Sequence, residues 1–142
     1  MKIFIAGIMQ GSRLDEAIDD QDYRAVIAGA IQARYPGVEI VDPNLLHPDG
    51  VDYEDDLAHA TLIEMAELAG RCDLVVAYAP QASMGTALEM WEAYRHGVPV
   101  VTISPMAANW VVRHLSTRVL PDLAAFARWI ADGELDKLVN LD

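Results

Sequence analysis

The sequence predicts an α/β fold: a doubly wound sheet of about five mostly parallel strands with helices on both faces, flavodoxin- or Rossmann-like in kind. Three observations predict it. Short apolar runs rich in Val and Ile fall at residues 2–8, 38–41, 74–79 and 98–103, with a shorter one at 118–120. Parallel strands covered on both faces have this near-continuous apolar character. Helical segments alternate with them, at 15–34, 53–70, 84–96, 107–115 and 122–131, which calls for right-handed crossovers within one sheet. Turn and stop signals separate the runs: Tyr35-Pro36-Gly37, Asp42-Pro43-Asn44, His47-Pro48-Asp49-Gly50 and Gly97-Val98-Pro99.

The 142 residues suit one domain, 1–142, with one core, and no repeat or linker interrupts them. A hydrophobic fraction of 53% marks a globular chain. No apolar run is long enough to span a membrane. The opening Met1-Lys2-Ile3-Phe4-Ile5-Ala6-Gly7-Ile8-Met9 has too short an apolar part, and no cleavage site, for a signal peptide, and it reads as the first strand. A cytoplasmic location is therefore expected. The single Cys72 excludes an internal disulfide and reads as a small residue at a helix–strand junction.

Net charge is −12, from ten basic and 22 acidic residues with no basic run. This argues against a nucleic acid polymer as partner. It leaves open one small phosphate held by backbone N–H groups. The acidic runs around Asp15–Asp22 and Asp49–Asp56 read as solvated faces and first-turn acids. His47, His59, His96 and His114 lack zinc-ligand spacing. Neither a metal nor a cofactor is expected.

The chemistry concentrates between Cys72 and Ser104: a buried strand, a turn, a helix opening at Ser83-Met84-Gly85, and a second buried strand. Glu89 in that helix places a carboxylate just beyond the C-terminal end of a strand, where open α/β sheets bind ligands. At about 100° per residue the helix sorts into three stripes. Met84, Ala87, Leu88, Trp91 and Tyr94 form the larger apolar one, expected to meet the sheet. Thr86, Met90, Ala93 and Gly97 form a smaller one, expected with the 107–110 segment to leave apolar surface for another subunit. Gly85, Glu89, Glu92 and His96 share the third. Ser83 is a natural N-cap. Two readings of the third stripe stay open: a solvated helix face, or a carboxylate with space left above it at Gly85 for a ligand. Ala82-Ser83-Met84-Gly85 also invites comparison with the nucleophile elbow of serine hydrolases, but Gln81 stands where that motif wants Gly, and only Glu89 and Glu92 lie between Ser83 and the last histidine, His114.

Three blocks carry a resemblance. They are Lys2-Ile3-Phe4-Ile5-Ala6-Gly7-Ile8-Met9-Gln10-Gly11-Ser12-Arg13, the Asp-led strand Cys72-Asp73-Leu74-Val75-Val76-Ala77, and Ser83-Met84-Gly85-Thr86-Ala87-Leu88-Glu89 followed by Ala93 and Gly97-Val98-Pro99-Val100. In order and spacing they resemble the nucleoside 2-deoxyribosyltransferase family, including the deoxynucleoside 5′-monophosphate N-glycosidases. The resemblance implies that Glu89 is a nucleophile that attacks the anomeric carbon, expels the base and forms a glycosyl-enzyme ester. It implies substrate contacts at Gly7, Met9, Gln10, Ser12, Asp73, Ser83 and Gly85. It also implies a homodimer or higher homo-oligomer whose neighbour contributes to the site; Asn109 or Trp110, on the apolar surface of the 107–110 segment, is the contribution expected here. Ser83 matches a position that is Asp in the transferases and Ser in the nucleotide hydrolases, where it helps bind the 5′-phosphate. Three departures stand beside this. Met65 falls where the family carries Asp, Phe4 where its first strand carries Tyr, and Ile8 and Gln10 where the hydrolases place a Ser and an Arg for phosphate.

The function expected is therefore an N-glycosidase or 2-deoxyribosyltransferase acting on a small nucleoside or nucleoside 5′-monophosphate. Glu64, Asp73 or Tyr78 would supply the acid missing at Met65. The alternative is a non-catalytic nucleotide-binding or sensing module on the same fold.

Overall fold

The computed structural model describes residues 1–10, 14 and 17–139. Five strands, β1 (Lys2–Gly7), β2 (Glu39–Val41), β3 (Leu74–Tyr78), β4 (Val100–Ile103) and β5 (Arg118–Leu120), form one sheet in the order β2-β1-β3-β4-β5. Every pairing is parallel, so the mostly parallel sheet expected is parallel throughout its described strands. The helices are α1 (Asp22–Arg34), α2 (Pro43–Leu46), α3 (Asp55–Ala69), α4 (Met84–Arg95), α5 (Trp110–Leu115) and α6 (Leu123–Ala131). None of the described helices is long and apolar enough to cross a membrane.

Alternate strand residues divide the core in two. Ile3, Ile5, Leu74, Val76, Val101 and Ile103 face Tyr23, Ile27 and Ile31 of α1 and Phe126, Trp129 and Ile130 of α6. Phe4, Ala6, Val75, Ala77 and Val100 face Met65 and Ala69 of α3 and Met90 and Ala93 of α4. The sheet is thus doubly wound, with α1 and α6 on one face and α3 and α4 on the other.

Several boundaries move for local reasons. The first helix starts at Asp22, not at 15, because the preceding segment folds back on the exit from β1. Asp19 N donates to Met9 O at 2.6 Å and Gln21 Nε2 to Ile8 O at 3.0 Å. α2 arises from the 42–44 turn signal: Asp42 caps it by accepting from Asn44 N at 2.9 Å, and Pro43 starts it, where a missing N–H costs nothing. α5 starts at Trp110 because Asn109 caps it, accepting from Val111 N at 3.0 Å and Val112 N at 3.3 Å.

The two apolar stripes of α4 are exchanged relative to expectation. Thr86, Met90 and Ala93 are buried against the sheet, whereas Met84, Leu88, Trp91 and Tyr94 are exposed. The sheet here offers small and aliphatic residues at close approach, and the narrow stripe fits it. The bulky stripe is left outside with Trp110, which is 80% exposed.

Candidate active site

From β1 the chain winds out to β2, then crosses back over β1 to reach β3. The connections after β1 and β3 therefore run to opposite faces and leave a crevice at their C-terminal ends. Gly7 and Tyr78 are register partners at that edge. The N-terminal turns of α1 and α4 arrive there from opposite faces.

Tyr23, in the first turn of α1, closes one wall. Its ring lies 4.4 Å from the Tyr78 ring at 33°, and its hydroxyl donates to Ile8 O at 2.9 Å. This packing needs a glycine beneath it, since a Cβ at Gly7 would come within 2.6 Å of the Tyr23 ring carbons. Gly7→Ala is expected to lower stability by about 1–3 kcal/mol through overpacking, read as a lower urea midpoint. Burial raises the Tyr23 hydroxyl pKa strongly; Arg24 opposes the shift, and Asp42, Glu89 and Tyr78 add to it.

Arg24, the next residue, is 3% exposed and anchors the floor. Nη1 donates to Ile5 O and to Asp42 Oδ1, each at 3.0 Å, Nε to Gln21 Oε1 at 2.7 Å, and Nη2 to Gly7 O at 3.4 Å.

Glu89 sits in the second turn of α4 and is half-buried. Burial pushes its carboxyl up to about 8, and the Arg24 guanidinium pulls in the opposite direction. One turn earlier, Gly85 has open space where a Cβ would stand. Ser83 caps α4: its hydroxyl accepts from Thr86 N at 3.3 Å and from Thr86 Oγ1 at 3.0 Å, the work of a cap rather than of an activated nucleophile.

Of the residues expected from sequence, Gly7, Ser83, Gly85 and Glu89 gather at this edge. Met9 and Gln10 follow directly after β1, and Ser12 lies outside the described residues. Asn109 borders a mostly apolar cavity of about 320 Å³ with Ser83, Met84, Met90, Met106 and Val112, on the side of α4 away from Glu89. Asp73 does not belong to the group. It precedes β3 at the N-terminal edge, where Oδ2 accepts from Lys2 N at 2.6 Å and the side chain borders a cavity of about 700 Å³ with Met1, Arg34 and Tyr35. A strand-leading residue must sit at the end of the sheet opposite to the crevice. Glu64 is exposed on α3, and Met65 and Phe4 are buried together in the core, so neither family departure leaves a polar group behind.

Tyr23 and Arg24 were not singled out from sequence. The signal was present: Tyr23, Ile27 and Ile31 form one helical stripe, and Arg24 lies on its flank, one turn before Ile27 and two before Ile31. A cation on an inward stripe requires a buried acid, here Asp42.

Among solved structures, a 2-deoxyribosyltransferase from Bacillus psychrosaccharolyticus superposes with a TM-score of 0.64 and 17% identity, over 89% of this chain and 90% of that one. The chain has the fold of a 2-deoxyribosyltransferase. A conserved protein from Enterococcus faecalis shares that 2-deoxyribosyltransferase-like fold with a TM-score of 0.65 and 20% identity, over 93% of this chain and 98% of its own. The sugar isomerase domain of an RpiR transcription factor from Sphaerobacter thermophilus is more distant, with a TM-score of 0.54 and 10% identity over 96% of this chain and 73% of that one. No protein-family model matches the sequence, and no curated protein matches it.

Proposed function

We propose that the chain is a member of the nucleoside 2-deoxyribosyltransferase family that cleaves the N-glycosidic bond of a nucleoside or nucleoside 5′-monophosphate, with Glu89 as nucleophile. The observation that carries this reading is the position of Glu89: a half-buried carboxyl at the β1/β3 crevice, coupled to Arg24 and Tyr23 and with open space above it at Gly85. A Glu89 oxygen attacks the anomeric carbon as the bond to the base breaks, and the bonding pair leaves with the base. The base takes a proton. Of the three acids considered from sequence, Tyr78 alone stands at the crevice, so it is assigned as that donor. Water or a second base then opens the glycosyl ester from the other side, which retains configuration. The test is incubation with a panel of nucleosides and 5′-monophosphates, with chromatography for released base. Release of base from at least one member is expected.

Burial of Met65 and Phe4 in the core favours a second reading, a nucleotide-binding module without turnover. It gains the argument if no base is released while a nucleotide raises the melting temperature.

We infer that the Ser83 hydroxyl, which caps α4, also meets a 5′ substituent of the substrate. Ser83→Ala is expected to cost about 1 kcal/mol of stability as a lost cap. It should also weaken monophosphates more than nucleosides; an equal loss for both would reduce Ser83 to a cap.

The exposed face of Met84, Leu88, Trp91, Tyr94, Trp110 and Val111 supports a two-fold homodimer. Trp110, exposed, is better placed to reach a partner's site than Asn109, whose side chain is occupied in capping α5. Light scattering at micromolar concentration is expected to give twice the chain mass of 15.6 kDa. A monomer there overturns the shared site.

A further inference from the structure

The cavity of about 700 Å³ beside Asp73 lies at the N-terminal edge of the sheet, the end opposite to the crevice. Asp73 and Pro99 border it where β3 and β4 begin, Tyr35 and Val38 where α1 turns into β2, and Leu138 from the chain after α6. Small-molecule sites have volumes of about 300–1,000 Å³, and one water fills only a small part of such a space. Tyr35 gives the first sign of a ligand. It is 9% exposed, and among the described residues its hydroxyl is the one buried side-chain polar atom that makes no hydrogen bond. Packing does not demand that oxygen, since a phenylalanine would fill the same place without an orphaned group. A buried polar atom without a partner calls for a missing partner.

The other polar groups of the lining are also underused. Arg34, the residue before Tyr35, has its guanidinium 5.2 Å from the Tyr35 ring centre and 3.9 Å from Asp136. Half-exposed, it donates no hydrogen bond among the described residues. Burial, and then the neighbouring Asp136 carboxylate, push the Tyr35 hydroxyl up to about 12, so it keeps its proton. Asp136 itself does not complete a hydrogen bond with it. Asp73 uses Oδ2 to accept from Lys2 N at 2.6 Å and keeps Oδ1 as a further acceptor. Val38, Leu138 and the rings of Pro36 and Pro99 add apolar wall.

We propose that this cavity is a second ligand site, separate from the crevice, and that it takes a free amino acid with an apolar side chain. Arg34 and Tyr35, adjacent in the chain, offer a guanidinium fork and an O–H donor, the complement of a carboxylate. The spare oxygen of Asp73 accepts from an ammonium. A plain organic anion would meet Asp73 as a like charge, and a plain amine would meet Arg34 in the same way. A zwitterion with an apolar body is the class that satisfies the whole lining, and its carboxylate supplies the acceptor that the Tyr35 hydroxyl lacks.

The test is calorimetric titration of the whole chain with L-leucine and L-phenylalanine. Two truncated probes run beside them: isocaproate, which is leucine without its ammonium, and isoamylamine, which is leucine without its carboxylate. Saturable binding of at least one amino acid is expected, with each truncated probe weaker by about tenfold or more, the loss that one missing charged contact brings. Arg34→Gln and Asp73→Asn should each weaken the amino acid by about tenfold. Tyr35→Phe should weaken it several-fold while leaving the urea midpoint of the ligand-free protein unchanged or higher, because the orphaned hydroxyl is gone. Glu89→Gln should bind as the wild type does. No saturable binding of either amino acid up to about 10 mM overturns the proposal. So do truncated probes that bind as well as leucine, and full affinity in Arg34→Gln, Asp73→Asn or Tyr35→Phe. A lowered midpoint in Tyr35→Phe would show that the hydroxyl is satisfied without a ligand, and loss of binding in Glu89→Gln would place the amino acid in the crevice; either result overturns it as well.

Discussion

Glu89→Gln is expected to lower base release by about 10⁴-fold or more, the scale on which enzymes lose rate when a covalent nucleophile is removed. The amide is nearly isosteric but cannot form the glycosyl ester, so the chemical step is lost while the crevice keeps its shape. Substrate should still bind, and no glycosylated protein should be detectable by mass spectrometry of quenched reactions. The wild type carries a matching pH signature. The proposed nucleophile is the ionised form of a group pushed up to about 8. Below that pH the carboxylate fraction, and with it kcat/KM, should rise about tenfold per pH unit. Above it the rate should level. A profile flat from pH 6 to 9, or a Gln variant as active as the wild type, would remove Glu89 from the mechanism.

Much of this was legible in the sequence, because parallel strands and crossover helices write separate periods. The runs at 2–8, 74–79 and 118–120 lie within two residues of β1, β3 and β5. Glu89 and Ser83 were placed by the same logic, since a strand, a capping residue and a helix fix where a second-turn side chain must go. The misreadings have separate physical causes. Stripe analysis shows which residues of a helix lie together, but not which stripe the sheet accepts. The sheet face of Ala6, Val75 and Ala77 took in Met90 and Ala93 with Thr86, and left the bulkier Met84, Leu88 and Trp91 outside. Asp73 was drawn in by its place in a motif, although a residue that leads a parallel strand must lie at the edge away from the crevice. Arg24 and Tyr23 belong to α1, far in sequence from Glu89, and only the closure of the sheet brings them to it.

The same Glu89→Gln change should make the protein more stable at alkaline pH and leave its stability nearly unchanged in acid. In the unfolded chain a glutamate ionises near its ordinary value of about 4.3. In the folded protein this one holds its proton up to about 8, because its surroundings desolvate the charge more than Arg24 repays. Below the unfolded value both states are protonated and the group is neutral toward folding. Between the two values the folded state binds more protons than the unfolded one, so stability falls as pH rises. Above about 8 both states are ionised, and the full cost of holding the carboxylate at the crevice is borne. Gln carries no such charge at any pH. Its advantage should therefore be near zero at pH 4 and grow to about 3 kcal/mol by pH 9. That figure takes about 1.4 kcal/mol for each pH unit separating the unfolded and folded ionisation points, less an allowance for water at a half-buried group. Urea unfolding of both proteins at pH 4, 7 and 9 reads this directly, with midpoints that coincide in acid and separate with rising pH. Parallel curves at all three values would mean that Glu89 is solvated in the folded protein, and the crevice would then lack the carboxylate whose reactivity depends on being held partly out of water.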